Sequence, residues 1–194
     1  MNKRLCWLCF AVCIALVAPY AMRYIPKQAP SRDYIHVVSS KRAFPFGTAV
    51  AEQLAKYANF RVPLVESGSP DERLIGSFCA GIGLEYPDIL LPARRMTAEE
   101  FVACRTNKVV GIVEASFGMM TFGQPFFLYV KSAHTGLVPG MRTYLREFMS
   151  LDASGERGYL VPLGLVPLSP DRHLQEVNKA RLLKVLTAED LNSH

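Results

Sequence analysis

The chain has 194 residues and carries 22 lysines and arginines against 17 acids, a formal net charge of +5. That excess is mild and scattered, with no basic run to track a phosphodiester backbone, so the chain is not expected to bind nucleic acid. The four histidines are isolated from other ligands, and no Walker loop, Gly-x-Ser-x-Gly elbow or defensible Ser, His and Asp set is present, so no metal, cofactor or enzymatic activity is expected.

Residues 1–21 open with Lys3 and Arg4 and continue as an apolar run, the pattern of a secretory signal peptide. Residues 5–22 also approach the ~20 apolar residues that span a bilayer, which makes an uncleaved N-terminal anchor the alternative. Either form places the remainder outside the cytoplasm. Cys6, Cys9 and Cys13 fall within this segment, and the two remaining cysteines, Cys79 and Cys104, are expected to form a disulfide in an oxidising compartment. A linker follows at 22–33. Residues 34–194 are then long enough for one domain that buries about 70% of its unfolded surface.

Within that domain, residues 34–39 predict a first strand, with His36 on its surface. Residues 48–58 predict a helix with Val50, Leu54 and Tyr57 on one face. A second strand at 62–66 leads into a helix over 70–81, entered through Ser69 as N-cap, Pro70 at the first position and Asp71 and Glu72 in the first turn. A third strand at 88–91 stops at Pro92. Thr97 and Glu100 form a capping box for a helix reaching Cys104, and 109–115 predicts a fourth strand. Residues 117–124 break the alternation before an apolar strand at 125–131. Helices are predicted at 141–149 and 171–186, with a turn and a short extended stretch between them.

Alternating strands and helices predict an α/β fold with right-handed crossovers, built on a mostly parallel sheet with helices on both faces. Ligands of such sheets sit beyond the carboxyl ends of the strands. Residues 40–47, 67–71 and 92–96 occupy those positions and gather hydroxyls, backbone donors and arginines.

Several stretches carry a more specific resemblance. They are 34–40 (YIHVVSS), 44–46 (FPF) with 49–52 (AVAE), 65–67 (VES), 78–84 (FCAGIGL), 87–89 (PDI) and 94–96 (RRM). Toward the C-terminus they continue at 125–134 (PFFLYVKSAH), 138–140 (VPG), 158–160 (GYL) and 164–168 (GLVPL). In these stretches the chain resembles the phosphate-binding protein of bacterial phosphate ABC importers, and the cysteine spacing agrees. The resemblance implies a periplasmic-binding-protein-like lobe, a periplasmic location and importer membrane subunits as partners. Family members are two-lobed clamps, whereas here residues 116–125 run almost directly from one matching stretch to the next, so the second lobe is expected to be missing.

Carried over position by position, the resemblance makes Ser40, Ser67, Ser69 and Arg94 the candidate ligands of inorganic phosphate or a similar anion. The loops depart from the family pattern. Ala43 stands near an expected hydroxyl, Pro70 removes a backbone donor, and Asp71 and Glu72 bring negative charge to the anion position. Ser69 and Glu72 are expected to cap that helix start themselves. Two functions follow: a solute-binding protein of phosphate type weakened by loss of a lobe, or a ligand-free interaction or structural protein of the cell envelope. A gene-deletion remnant is the third reading. For the second, Met119, Met120, Phe122 and Phe126 sit at the junction, where ordinary core is the commoner role of such residues and an exposed patch would favour a partner.

Overall fold

The computed structural model describes residues 32–57 and 59–192; the signal or anchor expected at 1–21 lies outside them, as does all of the linker before Arg32. Five strands form one sheet: β1 (His36–Ser40), β2 (Leu64–Gly68), β3 (Ile89–Leu91), β4 (Ile112–Met119) and β5 (Pro125–Lys131). Their order is β2-β1-β3-β5-β4. The helices are α1 (Phe44–Ala55), α2 (Asp71–Phe78), α3 (Ala98–Thr106), α4 (Met141–Phe148), α5 (Leu151–Ser154), α6 (Pro170–Leu182) and α7 (Ala188–Asn192).

The sheet is mixed, which corrects the expectation of a mostly parallel one. β1 pairs in parallel with β2 and β3. β5 runs antiparallel to both β3 and β4. The reason is local. The amide of Gly123 donates to the carbonyl of Met120 at 2.9 Å, that of Met120 donates to Gln124 at 2.6 Å, and Gly123 takes a left-handed φ of 84°. A connection this short can only turn the chain back on itself, so β4 and β5 form a hairpin. β4 also runs later than 109–115, to Met119, with a bulge between Ser116 and Gly118.

Two apolar layers lie on the two faces of the sheet. On one, Val37, Leu91, Phe117, Leu128 and Val130 pack with Phe46, Val50 and Leu54 of α1 and with Tyr144 and Phe148 of α4. On the other, Val38, Leu90, Phe127 and Tyr129 pack with Leu74, Ile75 and Phe78 of α2 and Phe101 of α3. β1 and β3 are central strands buried on both sides; β3 accordingly reads as an apolar run, Ile-Leu-Leu, while β1 ends in the buried polar pair Ser39 and Ser40. Phe126 and Met120 are buried in the first layer, as ordinary core, and of the four junction residues only Phe122 is fully displayed, at 96% exposure.

Helix ends follow the sequence unevenly. Thr97 and Glu100 form the capping box that begins α3, Thr97 Oγ1 accepting from the Glu100 amide at 3.2 Å. At α2 the N-cap is Pro70, not Ser69, and no side chain caps it. The helix begins one residue later than predicted, at Asp71, so Ser69 stands ahead of the capping position. α1 starts four residues earlier than predicted because Pro45 is well placed in a first turn. The charged C-terminal helix ends at Leu182, where Leu183 turns left-handed, and a separate short helix follows.

Cys79, at the end of α2, is bonded to the buried Cys104 of α3 across a separation of 25 residues. Closing a loop of that length restricts the unfolded chain by about 3 kcal/mol. Replacing both cysteines by serine is therefore expected to lower stability by roughly that amount, or roughly 6–12 °C in melting temperature. A loss under about 1 kcal/mol would show that packing alone holds α2 on α3.

Candidate functional site: the carboxyl edge of the sheet

β1, β2 and β3 run the same way, so the segments after Ser40, Gly68 and Leu91 emerge on one edge of the sheet. Because β5 is antiparallel to both β3 and β4, the 120–124 turn emerges on that edge too. Its Met120 Sδ lies 3.8 Å from a terminal nitrogen of Arg42. The three loops singled out in the sequence are thus brought together, with the exposed ring of Phe122 on the same edge.

Each candidate residue has a definite environment. Ser40 is buried, and its Oγ accepts from the Ala43 amide at 3.2 Å, closing its own loop. Ser67 is exposed on the edge strand β2, and Ser69 is exposed ahead of Pro70. Neither hydroxyl has a hydrogen-bond partner among the described residues. Arg94 lies between acids: it makes a two-pronged bond to Glu100 at 2.9 and 2.7 Å, and a third to Glu72 at 3.0 Å. The remaining bond of this fork, at 3.0 Å, goes to the carbonyl of Arg95.

These bonds stitch the loops. Asp71 accepts from the Ala93 amide at 3.0 Å, and Glu72 pairs with Arg94, so the start of α2 is tied to the segment after β3 by its own carboxylates. Glu100 bonds hold the Arg94 guanidinium above its ordinary range. Burial pushes Glu100 up, but the Arg94 and Thr97 bonds outweigh it and leave the carboxyl below the usual range. An anion recruiting Arg94 must displace two carboxylates first. Lys41 and Arg42 are exposed, with no carboxylate partner among the described residues, and supply a positive potential that salt screens.

Next to this edge lies a buried polar network that the sequence reading missed. Arg95 bonds Glu114 at 2.6–3.1 Å. Tyr129 donates to Glu114 at 2.7 Å and accepts from the Met96 amide at 2.9 Å. Burial pushes the Tyr129 phenol well above its ordinary value, and the Glu114 charge adds to this. The signal was a lone acid inside an apolar strand, Val113-Glu114-Ala115, which demands a partner wherever it is buried. Glu176 is a second case. It reaches from α6 to the Ser116 amide at 2.9 Å, where the bulge leaves that donor unpaired.

Among the described residues no group of three His, Cys, Asp or Glu side chains could hold a metal ion. Among the same residues no helix is long and apolar enough to cross a membrane. Comparison with protein-family models, with curated proteins and with solved structures gives no match.

Proposed function

We propose that this chain is an exported, one-lobed solute-binding protein of phosphate-importer type, which meets inorganic phosphate or a similar oxyanion on the open edge formed by Ser40, Ser67, Ser69 and Arg94. The observation that carries this reading is the convergence of the three hydroxyl- and arginine-bearing loops on the carboxyl edge of parallel β1, β2 and β3. Binding on that edge is weak. Among the described residues β4 passes to β5 through a five-residue turn at 120–124, where the resemblance expects the lobe that would form an opposing wall. Importer membrane subunits, or another envelope protein, would supply the second wall.

The clamping of Arg94 by Glu72 and Glu100 favours a second reading: an envelope protein derived from a phosphate binder that no longer takes a ligand and meets a protein partner instead. Calorimetric titration of the full chain with phosphate separates the two. The first reading expects millimolar, salt-sensitive binding that Arg94→Ala abolishes and Glu72→Gln tightens severalfold, since the latter releases one of the two acids holding the guanidinium. Absence of heat at millimolar phosphate in the parent and in Glu72→Gln would sink the first reading and leave the second.

A further inference from the structure

A groove of about 1150 Å³ opens between α4, α5 and α6, and it shares no lining residue with the carboxyl-edge loops. Its volume exceeds the roughly 300–1,000 Å³ of ordinary small-molecule pockets, which suits an elongated occupant. The floor is apolar, with Leu145, Met149, Val177 and Leu183 among its lining. Four arginines stand on its walls: Arg142 and Arg146 from α4, Arg181 from α6, and Arg157. Asp152 and Glu156 are the acids of the lining, and both lie at the α5 end.

Two observations point to an anionic head on an apolar tail. Arg142, Arg146 and Arg157 make no ion pair or hydrogen bond among the described residues, although most of the acids elsewhere are engaged. His173, only 7% exposed, lines the groove, and its ring has no hydrogen-bond partner among the described residues. Its ring nitrogens are not among the sealed, unpartnered polar atoms, so they remain open to solvent on the groove side, where an anion can reach them. The acids at the α5 end repel an anion from there and leave the α4–α6 end as its seat.

We propose that this groove binds a long-chain carboxylate, the alkyl chain lying along Leu145, Met149, Val177 and Leu183 and the carboxylate held by His173 with Arg142 and Arg146. Charge-assisted hydrogen bonds to guanidinium and imidazole fix the head. Burial of the chain supplies affinity that grows roughly fourfold for each methylene fully covered. The site is independent of phosphate binding at the carboxyl edge.

The test is fluorescence titration of the full chain, prepared without detergent, with the naturally fluorescent long-chain acid cis-parinarate, followed by displacement. Saturable one-to-one binding is expected, displaced by laurate about tenfold more effectively than by decanoate or by neutral dodecanol. Exposed Arg146→Glu, which should leave the fold intact by circular dichroism, is expected to weaken binding at least tenfold, and His173→Ala likewise. Arg94→Ala should change nothing here. Absence of saturable binding, equal displacement by dodecanol, or unchanged binding in Arg146→Glu would overturn the proposal. So would a concentration-dependent dimer that Leu174→Glu dissociates, since the groove would then be covered by a second copy.

Discussion

Replacing Asp88 by alanine is expected to destabilise the fold by about 3–5 kcal/mol, because it strips the acid from the Arg32 guanidinium and the nearby Lys131 ammonium in the interior. Asp88 is completely buried. One of its oxygens accepts from the His36 amide at 2.7 Å, and the other meets the Arg32 guanidinium and His134 Nδ1. His134 is itself fully buried, its second ring nitrogen 2.7 Å from the Ile82 carbonyl. Lys131, 1% exposed, lies close by, donating to the Gly81 carbonyl at 2.6 Å and standing over the Phe78 ring. Asp88→Asn keeps an acceptor for the His36 amide and should lose less. Urea denaturation measures both, and a loss below about 1 kcal/mol for the alanine variant would mean that water takes the place of the carboxylate.

The same cluster sets a pH dependence. Burial pushes the Lys131 ammonium down to about 8, against the opposing pull of Asp88. Between about pH 8 and 10 the unfolded chain holds the Lys131 proton while the folded chain has released it, so stability should rise with pH across that window. Above it the buried tyrosines reverse the sign. Burial raises the phenols of Tyr144 and Tyr129, so the folded state then holds protons that the unfolded state has lost.

Phe117→Ala should be comparably severe, at about 3–5 kcal/mol. Its ring is fully buried and stacks on Phe126 at 5.5 Å, meets Phe148 edge-on at 4.6 Å and Phe46 at 5.9 Å. This cluster joins the hairpin to α1 and α4, at the place where the proposed phosphate-binder ancestry would put the deleted lobe. A cost of that size, read from a shifted denaturation midpoint at constant slope, would show that the direct connection is a packed part of the core. A cost under about 1 kcal/mol would instead mark a loosely healed junction and strengthen the reading of the chain as a remnant.

Much of this fold was legible because its signals are local. Strand β5 runs over the predicted 125–131, α4 falls within one residue of its prediction, and the Thr97–Glu100 box starts α3. Cys79 and Cys104 are bonded as expected. The direction of β5 was not legible, since an apolar strand reads the same in parallel and antiparallel pairing and only the turn at Gly123 decides. Ser69 misled because the composition of a cap is present while the helix begins one residue later, behind Pro70. Arg94 itself was visible as a charge, but whether a guanidinium is free or clamped depends on Glu72 and Glu100, 22 and 6 residues away. The apolar groove is assembled from three helices, and no single stretch announces it.

The placement of β5 has a consequence for how the molecule is made. It is the last strand to be synthesised, yet it sits between β3 and β4 and makes every bond that joins them to one another. A nascent chain that has emerged only to Gln124 can pair β1 with β2 and β3, but β4 then has no neighbour in the sheet and displays an apolar run, Ile112–Met119. Such unpaired strands are the places where incomplete chains stick to one another. The domain therefore gains little by folding progressively from its N-terminus, and a chain kept unfolded until Lys131 has emerged can close the sheet in one cooperative step.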